Sequence, residues 1–295
     1  MLYQYDLEIA NLVIRMESQR RIVFDKCFQP FLTSADSSGM PDIRIDIRFY
    51  ETESDEKEKG MSGNVQYERD CIVQRYCLRD GEYLYRMEPV ARKDYCCLRV
   101  PVSFADAFCN KGNLLLYLSM ERLLLPFQRM ILHASAVIYQ EKAYVFSAPS
   151  GGGKSTHAGL WEKYYGAEIL NGDKVIIEVG DDGCVAYGGP VAGSSGIYKK
   201  KGAPVAAIVF LEKGNENKVW TELKRKRYLK LYSELIKSKW DEEHNCRLLE
   251  LAEIAVRTTP VITLSCKTDC EAVECVLSHL KGNYAYENKS NEDWF

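Results

Sequence analysis

Nine residues in the second half of the chain, Ala148 to Thr156 (APSGGGKST), constrain its fold more than any other stretch. They complete an apolar, strand-like run, KAYVFSA, and open a segment of helical spacing from Lys154 to about Tyr165. A glycine-rich turn between a strand and a helix can aim several backbone N–H groups at one anion, and the helix N-terminus adds partial positive charge. Gly151, Gly152 and Gly153 can take the positive φ angles and the close approach that a side chain would block. Lys154 brings a point charge suited to β- and γ-phosphates, and Ser155 a hydroxyl for Mg²⁺. Ser150 belongs to the same cradle, and Thr156 caps the turn within reach of the α-phosphate. This is the pattern of a P-loop, with Ala148 where the strict form has glycine. It predicts an ATP·Mg²⁺ site carried by an α/β layer.

A nucleotide site also needs an acidic residue at a strand end to hold the metal, directly or through water. Asp173 is the leading candidate because it closely follows the short strand expected over Ala167 to Leu170. Asp181 and Asp182 are rivals, although Gly-Asp-Asp-Gly between two strands is what a hairpin turn looks like.

The 295 residues allow one large domain or two ordinary ones. Residues 1–112 read as a β-rich domain: Ile43 to Phe49 alternates apolar with charged, and Cys71 to Leu78, Tyr83 to Met87 and Tyr95 to Val100 are further strands. Arg79-Asp80-Gly81 marks a turn, and Glu51 to Gly60 a charged, solvated loop. Residues 113–130 have helical apolar spacing and predict a buried connecting helix, ended or kinked near Pro126. Residues 131–282 alternate strands and helices. Strands are expected over Ile131 to Tyr139, Lys174 to Val179, Cys184 to Tyr187, Val205 to Leu211 and Val261 to Cys266, and helices over Thr221 to Lys239, Asp241 to Val256 and Asp269 to Lys281. Residues 283–295 read as a polar tail.

A net charge of −3 gives no basic excess, so neither a nucleic-acid backbone nor an anionic membrane is expected as the main partner. The apolar runs are too short to span a bilayer and no secretory signal opens the chain, which predicts a cytoplasmic location. A homo-oligomer stays possible. The eleven cysteines are scattered and odd in number. Cys266, Cys270 and Cys275 with His279 lack the paired spacing of a zinc site, so ordinary thiols are the expectation.

Taken together, Leu132-His133-Ala134, Ser150-Gly151-Gly152-Gly153-Lys154-Ser155 and Asn171-Gly172-Asp173 resemble the kinase core of HPr kinase/phosphorylase and, more distantly, ATP-dependent phosphoenolpyruvate carboxykinase. The resemblance covers about residues 130–215. It implies a phosphoenolpyruvate-carboxykinase-like core with a mixed sheet and flanking helices, and transfer of the γ-phosphoryl of ATP to a serine hydroxyl of a protein or peptide. It places His133 near the phosphates and the transferred group, Lys154 on the phosphates, and Asp173 with Ser155 at the Mg²⁺. The β-rich part would then select the acceptor.

The family's acidic pair has Asp at both places, the first acting as base, whereas this chain has Gly172-Asp173. Three readings stay open: Asp173 serves both roles, another carboxylate folds in, or ATP binds without rapid transfer, as in a regulatory module. A small-molecule enzyme of the carboxykinase type is a further alternative. The Gly- and Ser-rich run Gly188 to Gly196 can cover the substrate and Lys199-Lys200-Lys201 can neutralise phosphate, or both can be a solvated loop. The basic run Lys224 to Lys239 is a solvated helix face or a dock for an acidic peptide.

Overall fold

Alternation of apolar and polar residues builds the first of two sheets. A computed structural model describes residues 2–33, 39–51, 65–68, 70–78, 81–110, 114–191 and 193–283 of the chain. The charged loop after Glu51, the turn at Arg79-Asp80 and the polar tail beyond Asn283 lie outside these residues. The chain divides after Pro126 into two compact units.

In the first unit, β1 (Tyr3–Ile9) and β2 (Leu12–Ser18) form a hairpin, followed by β3 (Leu32–Thr33), β4 (Ile43–Tyr50), β5 (Val65–Tyr67), β6 (Cys71–Cys77), β7 (Tyr83–Pro89) and β8 (Tyr95–Pro101). They make one mixed sheet in the order β3-β1-β2-β4-β8-β7-β6-β5, with β2, β4 and β8 mutually parallel. Ile43, Ile45 and Ile47 are buried on one face while Arg44, Asp46 and Arg48 occupy the other, which is the alternation read from the sequence. The β1–β2 hairpin was not among the expected strands; its turn uses Ala10 and Asn11, both at positive φ, without the glycine that usually marks such turns.

After α1 (Ala105–Asn110), the connecting helix expected over 113–130 is instead α2 (Leu114–Leu118), α3 (Met120–Leu124) and a 3₁₀ turn over Leu125–Phe127. Ser119 breaks the helix by adopting a left-handed conformation, φ 46°, and Pro126 prevents its continuation. A buried cluster pins this segment to the sheet. Arg86 donates to the carbonyl of Leu118 and pairs with Glu88, which also accepts from Arg122 at 2.7 Å. Burial pushes the Glu88 carboxyl up, but the two arginines more than reverse this and hold it below its ordinary value.

The second unit begins with β9 (Arg129–Tyr139), two residues earlier than expected, and β10 (Lys142–Ser147); Gln140 and Glu141, at φ 49° and 61°, make the two-residue turn between them. After α4 (Lys154–Tyr165) come β11 (Glu168–Asn171), β12 (Lys174–Gly180), β13 (Gly183–Tyr187), β14 (Gly202–Lys213), β15 (Lys218–Trp220), α5 (Lys224–Glu234), α6 (Glu242–Thr258), β16 (Val261–Cys266) and α7 (Glu271–Asn283). Helix α5 is shorter than the expected Thr221 to Lys239, because Leu235 is already extended and bridges to Leu132 of β9.

Strands β9 and β14 are the longest of the unit, and each runs through two sheet regions. The first half of β9 pairs with β12 and the second half with β10 and β11. Likewise, β14 first pairs with β13 and then runs parallel to β10 and β16. The change of partner on β9 falls between His133, opposite Lys174, and Ala134, opposite Ser147. The end of β10 and the start of β12 therefore lie at adjacent positions along β9. Trp161 of α4 is fully buried against Tyr144 and Phe146 of β10, which fixes the helix on the sheet.

Candidate functional site

The loop from Ala148 to Gly153 joins β10 to α4 and has the conformation its glycines permit. Gly151 and Gly153 lie at φ 74° and 95°, where a side chain is strained. Gly152 is a case of close approach instead: a Cβ there would stand 2.5 Å from Ala148 Cβ and 2.8 Å from the Pro149 carbonyl oxygen. Ala148 fits because its methyl group is buried at the base of the turn. Helix α4 starts after Gly153 with no side-chain cap, so its first N–H groups keep no cap from a side chain. Ser150, Ser155 and Thr156 are exposed around it.

Lys154 is buried, 8% exposed, and its ammonium group donates to the carbonyl of Ala148 at 2.8 Å and of Pro149 at 3.4 Å. Burial pushes it below its ordinary pKa, while the carboxylates of Glu234 and Asp173 pull the other way. Both acids are therefore within electrostatic reach of the loop lysine.

Asp173 is positioned by Asn171. The fully buried Asn171 amide accepts from the backbone N–H of Asp173 and Lys174, at 2.9 and 3.0 Å, and donates to the carbonyls of Gly189 and Val191. One side chain thus shapes the acidic turn and ties the Gly/Ser-rich run to it. That run packs on Asp173 directly: a Cβ on Gly193, at φ 54°, would lie 2.7 Å from Asp173 Cγ. Gly172 is buried, and its carbonyl accepts from the Ser135 hydroxyl at 3.0 Å.

His133 sits where β9 changes partners, with its carbonyl held by the Ser147 hydroxyl at the start of the loop. Its Nε2 is 3.7 Å from Asp173 Oδ1, and its Nδ1 is 3.3 Å from Glu234 Oε2. The structure therefore brings His133, Asp173 and Lys154 together. It adds Glu234, the last residue of α5 and the only acid in a helix that reads KRKRYLKLYSE. Sequence reasoning missed Glu234; nothing local marks it, because its place is set by the bridge Leu132–Leu235 and by Ile236 N–H donating to the Ile131 carbonyl at 2.9 Å.

Other expected contributors point elsewhere. Lys199 and Lys201 pair with Glu168 of β11, Lys199 at 2.7 Å, so a local carboxylate holds these two. Asp181 and Asp182 form the β12–β13 turn. His157 accepts from the Trp161 indole at 3.2 Å and is a buried structural group, pushed down to about 4 by burial. Among the described residues no group of His, Cys, Asp and Glu is arranged to hold a metal ion by itself, and no helix is long and apolar enough to cross a membrane. No protein-family model matches the chain, and no curated protein matches it.

Proposed function

We propose that this chain is an ATP-dependent phosphotransferase resembling HPr kinase, moving the γ-phosphoryl of ATP·Mg²⁺ to a hydroxyl, most simply a serine of a protein or peptide. The observation that carries the reading is the convergence of a buried loop lysine, Lys154, with Asp173 and His133 where β9 switches partners. Three segments far apart in sequence supply these groups, and a glycine-rich turn built only for packing would not require them. Two long strands shared between sheet regions, with the loop after β10, support a phosphoenolpyruvate-carboxykinase-like core.

ATP supplies the phosphoryl group, and Mg²⁺ neutralises charge as it transfers. Ser150, Gly151, Gly152, Gly153 and Thr156 line the cradle, whose amides bind and orient phosphate oxygens. Lys154 leaves the Ala148 and Pro149 carbonyls for the β/γ-phosphates. A lysine held by neutral carbonyls gains by exchanging them for an anion. Ser155 and Asp173 would hold the metal. Catalysis is then mainly positioning and charge stabilisation.

Gly172 favours a second reading, a nucleotide-binding module without turnover, because the resemblance places a base there. Incubation with γ-labelled ATP, Mg²⁺ and lysate of the source cell separates the two. Labelled product that disappears in Lys154→Ala is expected; ATP binding with no labelled product would leave the module. Failure of the wild type to bind ATP would remove both.

A further inference from the structure

Helix α5 reads KRKRYLKLYSE, and the fold itself uses only part of that charge. Lys230 donates to Glu212 and Thr263, each at 2.9 Å, and to Glu222 at 3.3 Å. Lys237, beyond the helix, donates to the carbonyls of Tyr232 and Ser233. Lys226 meets the same Glu222 at 3.7 Å with its side chain 65% exposed, and among the described residues no carboxylate is bonded to the exposed Arg225. We propose that the solvent face of α5 docks an acidic stretch of the acceptor protein, with Arg225 and Lys226 taking its carboxylates and Leu229 taking an apolar side chain between these and the acceptor hydroxyl. The proposal rests on the phosphotransferase reading.

The helical period sets the face. Leu231 is buried and Tyr228 half-buried, so that side turns inward, while Leu223, Arg225, Lys226, Leu229 and Ser233 are exposed. Residues 226, 229 and 233 stand three and four apart and form one stripe, with Arg225 alongside. Leu229, in the middle of it, is 52% exposed. Solvation alone gives no reason for a leucine there, and the cations sit at the end of the helix least suited to them. Residues 224–227 are all basic, the first turn has no acid, and Leu223 supplies no side-chain cap, at a terminus that already carries partial positive charge. Helix stability does not explain this arrangement, whereas carboxylates bound from outside would offset it.

The stripe leads to the site. Lys230 ties α5 to Thr263, and Thr263 lies beside Phe210, which in turn lies beside Ser147 at the end of β10. The helix thus runs along the carboxyl edge of the parallel strands β10, β14 and β16, the edge from which the glycine-rich loop leaves. Its last residue, Glu234, contacts His133 at 3.3 Å. From Glu234 back to Leu229 is about 7.5 Å along the helix, and back to Lys226 and Arg225 about 12–14 Å. An extended peptide advances about 3.3 Å per residue, which puts its apolar side chain about two residues from the acceptor and its acids about four. Those positions point to the same side of an extended chain as the acceptor itself, so one strand can present all three. With a net charge of −3 the protein has no general pull on polyanions, so local acids on a peptide suit this patch better than a nucleic acid does.

The test uses the full chain and two fluorescent synthetic peptides. One carries serine, leucine and paired glutamates at those spacings; the other has lysine for glutamate. Both are made in either chain direction. By anisotropy the glutamate peptide should bind, in one direction, on the order of tenfold tighter than the lysine peptide. Arg225→Glu with Lys226→Glu should lower that affinity on the order of tenfold and raise that of the lysine peptide, and Leu229→Ala should weaken it too. The same charge change at the exposed Lys142 and Lys163 should leave it within about twofold. With γ-labelled ATP·Mg²⁺ the glutamate peptide should be labelled, and R225E/K226E should raise its KM while kcat holds. A glutamate peptide bound no tighter than the lysine peptide overturns the proposal, and this result needs no variant to fold. So does R225E/K226E that binds it as the wild type does, or a single-stranded oligonucleotide or an anionic lipid vesicle bound more tightly than the peptide. Peptide labelling indifferent to its acids removes the dock and leaves the phosphotransferase reading standing. Binding that depends on Arg225 and Lys226 with no labelled product supports the dock and removes that reading.

Discussion

His157 shows how one residue of the loop helix sets a pH limit on the second unit. Its ring lies edge-on to Phe146 and accepts from Trp161, and burial lowers it to about 4 from an ordinary 6.5. The sign follows from which state binds the proton. Between these two values the unfolded chain takes up a proton that the folded one refuses, so stability is full above about 6.5 and falls as pH drops toward 4. The loss is on the order of 3 kcal/mol. Urea unfolding of the wild type at pH 7 and pH 4.5 should show it, and His157→Gln, which can still accept from Trp161, should lose less between the two. Gly152 gives a second prediction at this scale. The methyl group of Gly152→Ala would meet Ala148 Cβ and the Pro149 carbonyl, so the loop must open. ATP affinity should fall on the order of tenfold or more, about 1.4 kcal/mol, measured by calorimetric titration, with secondary structure by circular dichroism unchanged. Affinity equal to wild type would mean that the turn yields without cost.

The elements were legible in proportion to how local their causes are. β4 and β16 were read almost to the residue, since alternation in one and an apolar run in the other need no partner to be recognised. α6 was read from Asp241, whose Oδ1 does cap the helix by accepting from His244 N–H at 3.0 Å. Asp241→Ala should therefore cost about 1 kcal/mol, seen as a lower urea midpoint; an unchanged midpoint would show that α6 is held by packing alone. The connecting segment was misread because LLLYLSMERLLL keeps helical spacing straight through Ser119, and only the left-handed backbone at that residue divides it. The length of α5 was misread for a tertiary reason: the basic run continues to Lys239, but pairing of Leu235 with β9 ends the helix. That same pairing delivers Glu234. The loop, Lys154 and Asp173 could be named from the sequence because short motifs carry their chemistry. Glu234 could not, since its contact joins residues 101 positions apart. Likewise Asn171 stood inside a recognised motif, but its role as a two-sided staple depends on where Gly189 and Val191 pass.

At the scale of the molecule, the division after Pro126 gives each unit its own core, with the first sheet in one and the glycine-rich loop in the other. The four tryptophans all follow that division, at 161, 220, 240 and 294. Intrinsic fluorescence excited at the indole band thus reports the second unit, and Trp161, fully buried beneath the loop helix, is placed to dominate its change. A ligand that binds only the folded second unit must raise its unfolding free energy by RT ln(1 + [L]/Kd), about 2.7 kcal/mol at a hundredfold excess over Kd. ATP·Mg²⁺ should therefore move the fluorescence-detected urea midpoint upward in the wild type. Lys154→Ala should abolish the movement. Glu234→Gln should keep most of it, because Glu234 contacts His133 and reaches Lys154 only electrostatically. Loss of the shift in Glu234→Gln with the fold intact would place Glu234 in nucleotide binding. A wild type with no shift at saturating ATP·Mg²⁺ would leave the loop without its ligand, and the phosphotransferase reading with nothing to stand on.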